Sequence, residues 1–286
     1  MMRHESFAVF ILSHGRADRI HTLKALEDGN YSGPWYIVID NEDKTADEYY
    51  RRYGDHVIMF DKLAKSKEFD AGDNFEERRA IVFARNACFD IAERMGIEYF
   101  LELDDDYTAF HHRFIDGEKL SYRMVKDLDK AFDLMLDFLE DSGAMTVAFA
   151  QGGDFIGGKD NQNIKKGLLR KAMNTFFFKT SRRFDFTGKQ NEDVTAYVCL
   201  GGRGNLFFTA TAISIVHLST QSEAGGMTEL YVENGTYLKS FYTVMYCPSC
   251  VKVAMMGESH KRLHHQINWR HAVPKIIEEK WRKSDE

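Results

Sequence analysis

Residues 99–106 read Tyr-Phe-Leu-Glu-Leu-Asp-Asp-Asp, and no other stretch restricts the possible folds of this chain as strongly. An apolar run that ends in three acids predicts a buried strand whose last residues carry their carboxylates to the carboxyl edge of a sheet. Because adjacent carboxylates repel one another, a bound cation would stabilise them, and hard oxygen ligands of this kind suit Mg²⁺ or Mn²⁺. An acidic turn in solvent is the alternative interpretation.

Length and composition favour a globular α/β protein. With 286 residues, 44% of them hydrophobic, and only three prolines, the chain can form one large domain or two small ones. It has no apolar run long enough to cross a bilayer, and its start lacks the apolar region of a secretory signal. Four cysteines do not suggest a disulfide framework. We therefore expect a soluble cytoplasmic protein with no membrane partner.

The net charge of -6 argues against a generally basic protein that binds nucleic acid through its overall electrostatics. Two local basic clusters remain, one between residues 165 and 183 and one between residues 261 and 275. Such clusters are more often solvated faces than binding sites, so they do not establish a nucleic-acid partner by themselves.

Alternating strand and helix patterns predict βαβ units in the first half. Residues 7–12, 35–40, 56–60 and 99–103 have the apolar character of buried strands, and helical patterns follow residue 20 and cover residues 42–53 and 75–95. Residues 62–74 and 107–116 have the composition of loops. Later segments predict a helix over residues 125–139, a strand over 145–150, a glycine-rich loop over 151–158 and a β-like segment over 206–216.

Polar residues that follow these strands or adjoin the helices are the first candidate site residues. Ser13 can cap a helix, Gly15 allows close approach of the backbone, and Arg16 can donate charge-assisted hydrogen bonds to phosphate or carboxylate. Asp40 ends the second strand and could contact a ribose or base edge, or act as a cap. Arg85 adjoins the buried stripe of its helix and could point at a bound diphosphate, although it could equally be a surface arginine.

A second acid pair, Glu192 and Asp193, lies far from the first acids in sequence. A metal-dependent transfer reaction needs a base, and this pair could provide it. Acids at a helix N-terminus are also common caps, so both interpretations remain open here.

Cys247, Cys250, His260 and His264 have the order of zinc ligands. The gap between the cysteine pair and the histidine pair is shorter than in a nucleic-acid-binding finger, and apolar residues fill it as they would a core strand. Structural zinc is therefore the less favoured interpretation.

Together these features resemble the GT-A glycosyltransferase pattern, and in particular the TET-associated glycosyltransferases of bacteriophages. The likeness runs over nearly the whole chain and is carried by residues 11–16, 84–86, 103–106, 191–194, 235–241, 262–265 and 274–277. It implies an α/β, Rossmann-like GT-A fold with a central mixed sheet flanked by helices, formed by residues 1–286 as a single domain. Residues 1–110 would bind the nucleotide-sugar, and residues 111–286 would bind the acceptor and supply a C-terminal metal-binding or lid segment.

The resemblance implies transfer of a sugar, with arabinose or glucose favoured, from a UDP-sugar to the hydroxymethyl group of 5-hydroxymethylcytosine in phage DNA, with Mn²⁺ or Mg²⁺ as cofactor. In a phage-infected cell this would take place in the host cytoplasm. A hydroxymethyl oxygen is a poor nucleophile at neutral pH, so a carboxylate that accepts its proton and a metal that stabilises the leaving diphosphate would act at two ends of one displacement. Two alternatives remain: a GT-A enzyme acting on a glycan, lipid or protein, and a non-catalytic nucleic-acid-binding module on the same scaffold.

The resemblance also implies roles for the acids and histidines. Asp106 would bind the metal directly, and Asp104 would contact the ribose or a metal-bound water. His264 or His265 would add a metal ligand, with His217 less favoured. If the reaction inverts the anomeric centre, one acid of the second pair would be the base, first Asp193 and then Glu192.

The remaining implied roles concern binding of the two substrates. The nucleotide-sugar would be lined by Ser13, His14, Gly15, Arg16, Asp40, Arg85, Asp104 and Asp105. The acceptor and its DNA would be contacted by Lys166, Arg170, Arg262 and Trp269. A base flipped out of the duplex could stack on Phe155, Phe176, Phe177 or Trp269, although each of these rings is more typical of a core residue.

Overall fold

The structure, a computed structural model, describes residues 6–73, 76–218, 238–256 and 261–273. The first part of the chain alternates strands with helices: β1 (Phe7–Leu12), α1 (His21–Asp28), β2 (Trp35–Asp40), α2 (Ala46–Tyr53), β3 (Val57–Phe60), α3 (Lys62–Lys65), α4 (Val82–Met95) and β4 (Tyr99–Asp104). These four strands are parallel. Since helices cover both of their faces, they read as continuous apolar runs, and all six residues of β1 are buried.

The second part of the chain begins with a hairpin and ends in a separate small one. Its elements are β5 (Tyr107–Asp116), β6 (Lys119–Met124), α5 (Leu128–Ser142), β7 (Thr146–Ala150), α6 (Gln162–Lys166), β8 (Leu168–Leu169), β9 (Phe176–Lys179), α7 (Glu192–Cys199), β10 (Phe207–His217), β11 (Val251–Met256) and β12 (Arg262–Ile267). Short 3-10 turns cover Gly54–His56, Gly152–Phe155, Gly158–Asp160 and Gly201–Arg203. Residues 238–246 are helical.

Ten of the described strands form one mixed sheet. Its order is β3-β2-β1-β4-β9-β7-β10-β5-β6, with β8 paired to β10, while β11 and β12 pair with each other. β9 is antiparallel to both β4 and β7, and β7 and β10 are parallel. The carboxyl ends of β1, β2, β4, β7 and β10 therefore meet at one edge. The structure confirms the predicted fold class, an α/β fold with a central mixed sheet flanked by helices.

The two faces of the sheet carry two apolar cores. Ile11 on β1 and Phe177 on β9 pack with α1 and with Phe132 of α5 on one face. Phe10 on β1 packs with Phe83 of α4 on the other face. Burial of each such side chain contributes about 1.5–3 kcal/mol. These apolar cores cover the two faces of the sheet, and polar side chains can therefore gather at its carboxyl edge.

Several segments differ from the sequence prediction. Residues 107–116, predicted to be a loop, form β5, because they pair with β10 about a hundred residues later. The loop predicted over residues 62–74 begins with α3, where Asp61 accepts the Ala64 backbone N–H at 2.9 Å. The helix predicted over residues 75–95 begins at Val82 and ends, as predicted, at Gly96, whose φ is 67°. Among the described helices, none is both long and apolar enough to cross a membrane.

Candidate active site

The carboxyl edge of the sheet opens into a cavity of about 1020 Å³, at the upper end of the usual size of ligand sites. Residues that follow β1, β2, β4, β7 and β10 line it, together with the start of α7 and parts of β11 and β12. The predicted residues on its wall are Ser13, His14, Gly15, Arg16, Asp40, Arg85, Asp104, Asp105, Asp106, Glu192, Asp193, His217, His264 and His265. The fold thus brings both acid clusters to one cavity.

The turn after β1 is held by a buried acid. Asp105 accepts hydrogen bonds from Ser13 Oγ at 2.6 Å and from Arg16 Nη1 at 2.9 Å. The Tyr49 hydroxyl oxygen lies 2.7 Å from Ser13 Oγ and accepts the Arg16 backbone N–H at 2.9 Å. Burial raises the pKa of Asp105, against the opposing effect of Arg16. Asp105 therefore anchors this turn to the acidic end of β4.

A second polar group lies at the end of β2. Asp40 Oδ2 accepts a hydrogen bond from Lys62 Nζ at 3.1 Å and lies 2.8 Å from His14 Nδ1. Asp40 and Lys62 are buried, whereas His14 is partly exposed on the cavity wall. Burial alone would raise the pKa of Asp40, but the contacts with His14 and Lys62 lower it below its usual value. The carboxylate is thus ionised at neutral pH and can accept hydrogen bonds from a ligand.

The Arg85 guanidinium is 2% exposed and contacts three carboxylates. Its Nε donates to Glu192 Oε1 at 3.1 Å, Nη1 to Glu102 Oε2 at 3.4 Å, and Nη2 to Asp104 Oδ1 at 3.4 Å. It also lies 4.6 Å from the centre of the Phe176 ring. Burial alone would lower the pKa of Arg85, but the acids raise it. Arg85 therefore links the acidic strand end to the acid pair of α7.

One guanidinium does not neutralise these acids. Burial raises the pKa of Asp104 to about 7, with Arg85 opposing the shift and Asp106, Asp105 and Glu192 adding to it. Burial also raises the pKa of Glu102 to about 8, and Glu102 Oε1 has no hydrogen-bond partner among the described residues. This group therefore contains more acids than one arginine can keep ionised, and a cation bound at Asp104 would favour its charged form.

The backbone fixes the acidic turn beside one histidine. Thr22 Oγ1 donates to the Asp104 carbonyl at 2.6 Å and accepts the Tyr107 N–H at 3.1 Å. At the end of β10, His217 pairs with Tyr107, and the next residue donates its N–H to the Asp106 carbonyl at 3.2 Å. His217, the less favoured candidate from the sequence, therefore lies beside Asp106.

His264 and His265 reach the cavity from β12. The Nδ1 atom of His264 lies 2.9 Å from the His265 carbonyl, and the Nδ1 atom of His265 lies 3.1 Å from Asn191 Nδ2. Burial lowers the pKa of His265 to about 4, with a smaller contribution from His264. Within the described ranges, no three His, Cys, Asp or Glu side chains are arranged to hold a metal ion. The metal ligands therefore stay a prediction.

Asn191 sets the position of the second acid pair. It adopts a left-handed backbone with φ of 54° at the start of α7, and its Nδ2 donates to the Lys239 carbonyl at 2.8 Å. Glu192 is bound to Arg85, whereas Asp193 Oδ1 accepts the Val194 backbone N–H at 2.7 Å. Burial, with Asp193 adding to it, raises the pKa of Glu192. The two acids thus differ: one is part of the arginine cluster, and the other is held by its own helix.

Three of the four residues predicted to contact the acceptor, Lys166, Arg170 and Trp269, are not among the described residues that line the cavity. Lys166 is exposed on α6. Arg170 Nη2 donates to the Ala272 carbonyl at 3.4 Å, and its guanidinium lies 5.8 Å from the centre of the Trp269 ring. Trp269 in turn stacks on Tyr197, which does line the cavity. Arg262 begins β12.

Phe155, Phe176 and Phe177 are core residues, the interpretation that the sequence favoured over stacking on a flipped base. Phe176 and Phe177 belong to β9, in the middle of the sheet, and both are buried. Phe155 is buried beneath the guanidinium of Arg113. Phe176 and Phe177 are buried because β9 is inserted between β4 and β7, a position that the local sequence does not reveal.

The zinc interpretation of the cysteine and histidine pairs receives no support. Cys247 Sγ lies 2.6 Å from Cys199 Sγ, whereas His264 lines the cavity with the acids. His260 lies outside the described residues.

Several polar residues of the cavity were not predicted. Asp43 accepts the Gly15 backbone N–H at 2.7 Å, and the positive φ of Gly15, 70°, points that N–H toward it. Lys171 forms an ion pair with the buried carboxylate of Asp154. Glu102 is an acid inside an apolar strand, and a buried acid needs a buried partner. This signal could have predicted that Arg85 is buried against the strand. Asp43 and Lys171 give no comparable signal.

Comparison with known sequences identifies a family. A sequence model of the family described as TET-Associated Glycosyltransferase matches residues 7–226, well over half of the chain. A comparison with curated proteins gives no significant match.

Three solved structures align with this chain at low sequence identity. They are a mycobacterial protein (9% identity, TM-score 0.44, covering 91% of this chain and 83% of that one), a mannose-1-phosphate geranyltransferase from Thermus thermophilus (14%, 0.32, 62% and 58%) and GalNAc-T7 with UDP, GalNAc and Mn²⁺ (10%, 0.44, 84% and 50%). The chain thus spans about half of the GalNAc-T7 structure and somewhat more of the Thermus one.

Proposed function

The chain belongs to the family of TET-associated glycosyltransferases and is a glycosyltransferase, and from this premise we propose that it transfers arabinose or glucose from a UDP-sugar to 5-hydroxymethylcytosine in phage DNA. The acceptor atom would be the hydroxymethyl oxygen of the base. The observation that carries the proposal is the single cavity that joins the acids at the end of β4 to the acid pair at the start of α7. A displacement needs stabilisation of the leaving group at one end and a base at the other.

We assign the nucleotide of the donor to the side of the cavity formed by β1 and β2. His14 and Lys62 would offer hydrogen-bond donors and Asp40 an ionised acceptor to the nucleoside. The Ser13 to Arg16 turn is already fixed by Asp105, so binding would require little ordering of the protein.

We assign a divalent cation to the acids at the end of β4. Asp104 and Asp106 provide the hard oxygen atoms that Mn²⁺ or Mg²⁺ prefers. Burial, with the neighbouring acids adding to it, raises the pKa of Asp104, and a bound cation would favour its ionised form. Asp106 would be the direct ligand, and His217, His264 or His265 would complete the set. When bound, the cation would supply electrostatic stabilisation of the leaving diphosphate.

Asp193 is the better candidate for the base. Glu192 is held by the Arg85 guanidinium, which lowers its ability to accept a proton from a substrate, whereas Asp193 Oδ1 accepts the backbone N–H of Val194 in its own helix. In an inverting reaction, Asp193 would take the hydroxymethyl proton while the oxygen forms the bond to the anomeric carbon and the bond to the diphosphate breaks. Arg85 would not touch the substrates and would hold Asp104 and Glu192 in position.

The test is mass spectrometry of nucleosides digested from DNA that contains 5-hydroxymethylcytosine, after incubation with the protein, Mn²⁺ and a panel of UDP-sugars. We expect a gain of one pentose or hexose mass, lost in Asp106→Ala and reduced about 100-fold or more in Asp193→Asn, since general-base catalysis typically contributes 10²–10⁴-fold. Asp141→Asn, a matched change on an exposed acid of α5, should leave transfer unchanged.

Two results would argue against parts of this proposal. Hydrolysis of a UDP-sugar without any transfer to the DNA would agree with a glycosyltransferase but would contradict the proposal that DNA is its acceptor. Full transfer by Asp193→Asn, with loss in Glu192→Gln, would exchange the roles of the two acids.

A further inference from the structure

The β5–β6 hairpin and the segment after β7 form a surface that the proposed reaction does not use. β5 pairs with β10 on one side and with β6 on the other, and β6 is the last strand of the sheet. Lys159 Nζ lies 3.0 Å from Glu118 Oε2 and joins the turn of the hairpin to the later segment. Residues 107–126 and 151–171 together are called the hairpin surface below.

The hairpin surface is basic although the chain is acidic. It holds nine lysines and arginines against four acids, whereas the whole chain has a formal net charge of -6. Lys119, Arg123, Lys165 and Lys166 are exposed. A local positive patch on a negatively charged protein attracts a polyanion to that place and not elsewhere. The charge of the hairpin surface therefore complements a polyanion.

Exposed aromatic rings lie on the two faces of the hairpin, Tyr122 on the face of Arg113 and Phe114 on the opposite face. Tyr122 is 62% exposed and Phe114 is 37% exposed. The His111 ring stacks on Tyr122, with centroids 4.6 Å apart and an interplanar angle of 20°, and the Arg113 guanidinium lies 5.3 Å from the Tyr122 ring centre. The Arg123 guanidinium lies 5.7 Å from the Phe114 ring centre. Tyr122, which its neighbours hold in place and which is still largely exposed, provides a platform for stacking bases.

The hairpin surface is continuous with the cavity. β5 begins at Tyr107, directly after Asp106, and both line the cavity. Gln151, Asp154 and Lys171, at the two ends of the later segment, also line it. A strand that lies on the hairpin surface can therefore present one of its bases to the cavity.

We propose that the hairpin surface binds the sugar-phosphate backbone of the nucleic-acid strand that carries the acceptor base, with Tyr122 stacking on a base that flanks it. The inference rests on the proposed function and names the surface that holds its DNA partner. The rings decide between polyanions: an acidic peptide would engage the lysines and arginines but would have no flat bases to cover Tyr122 and Phe114.

The test is fluorescence anisotropy with a labelled single-stranded oligonucleotide that has only unmodified bases, without any donor. The variant combines Lys119→Ala, Arg123→Ala and Lys165→Ala. We expect its Kd to rise at least about 10-fold, and the slope of log K against log salt to fall by about one for each phosphate that is no longer neutralised. Tyr122→Ala should weaken binding about 5-fold or more, whereas Tyr122→Phe, which keeps the ring, should not.

The control variant combines Lys24→Ala, Arg51→Ala and Arg94→Ala, which removes the same number of exposed cations from α1, α2 and α4. It should bind like the unaltered protein, and the thermal unfolding of all variants should be compared. The proposal would be overturned if both triple variants bound the oligonucleotide equally weakly, or if both bound it like the unaltered protein. Displacement of the oligonucleotide by polyglutamate at equal charge would also overturn it. The binding measurement contains neither donor nor modified base. A loss of the expected binding can therefore occur while sugar transfer is observed, and binding can be observed while transfer is not.

Discussion

At the scale of single residues, the acids that surround Arg85 include Glu102, whose side chain is inaccessible to solvent. It is fully buried on β4, one of its oxygens contacts Arg85 at 3.4 Å, and the other has no hydrogen-bond partner within the described residues. Arg85 also serves Asp104 and Glu192, so it cannot hold three ionised acids equally. A protonated Glu102 is the state that this environment favours.

The pH dependence of stability follows from this environment. The pKa of Glu102 is raised to about 8 in the folded protein, above its usual value of 4.5, so the folded state binds this proton more tightly. The tighter binding of this proton stabilises the folded state fully below pH 4.5, and the stabilisation is lost as the pH rises through about 8. Over this range the free energy of unfolding falls by at most about 1.4 kcal/mol per pH unit. We expect Glu102→Gln to match the unaltered protein near pH 5 and to exceed it in free energy of unfolding at alkaline pH.

Urea unfolding over this pH range, with a chelator present, would measure the effect. Glu93→Gln, on an exposed acid of α4, is the matched control and should leave the pH dependence as it is. An equal slope in Glu102→Gln and the unaltered protein would mean that Glu102 is already ionised at neutral pH.

Residues that end buried strands were predictable from the sequence, and residues brought in by later elements were less so. Asp40 and Asp104 gather at one edge because parallel strands end there, and the apolar runs before them indicate those strands. Lys62 and Asp43 were missed because Lys62 begins the short helix α3 and Asp43 lies in the connection before α2, and both depend on tertiary contacts for their position. Asn191 was seen as part of an acid motif, but its contact with His265 joins segments more than seventy residues apart.

At the scale of elements, α7 connects the acid pair to the C-terminal part of the chain. At its start, Asn191 binds the Lys239 carbonyl, and Thr195 Oγ1 donates to Thr243 Oγ1 at 3.3 Å. At its end, the Cys199 Sγ atom lies 2.6 Å from Cys247 Sγ. α7 and the helix over residues 238–246 therefore touch along their length, and the position of the proposed base depends on this contact.

The two thiols give a test of this packing. We expect oxidised glutathione to convert Cys199 and Cys247 to a disulfide, with release of two molecules of reduced glutathione, because their sulfur atoms already touch. Closing a loop of roughly 50 residues would raise the free energy of unfolding by up to about 4 kcal/mol. Peptide mass spectrometry would detect the crosslink, which Cys247→Ser should abolish and in which the buried Cys88 should take no part.

Other outcomes would contradict the packing of α7. A crosslink between Cys247 and Cys250 instead would mean that Cys199 is not held against the later helix. Resistance to oxidation until a chelator is added would indicate that the thiols bind a metal.

The strand that was predicted wrongly, β5, and the strand that was not predicted, β9, both depend on distant partners for their stability. β5 has a mixed sequence, and its strand conformation is fixed by pairing of His111 with Ser214 on β10. β9 is short, and Phe177 is buried because β4 and β7 lie on either side of it. By contrast, β1, β2 and α5 were predicted well, since their own periodicity specifies them. Local patterns cannot encode a strand whose partner lies far along the chain.

At the scale of the whole molecule, the two halves suggested by the sequence share one sheet. β9, from the second half, pairs with β4 of the first, and β5, which spans the boundary at residue 110, pairs with β10. Phe7 of β1 packs against Phe132 of α5 at 6.0 Å between ring centres. The nucleotide-sugar half and the acceptor half therefore differ in their proposed binding roles, but residues of both halves form the same apolar core.

This interleaving predicts that the chain unfolds as one unit. We expect a single thermal transition by circular dichroism, with the calorimetric enthalpy equal to the van't Hoff enthalpy, and a UDP-sugar with Mn²⁺ should shift that whole transition upward. A fragment of residues 1–110 should show no cooperative transition, because β4 would lose its pairing with β9 and its packing against Phe132 and Phe177. Two separate transitions, or a cooperatively folded fragment that binds the UDP-sugar, would instead mean that the nucleotide half is an independent domain and that the acceptor half is built onto it.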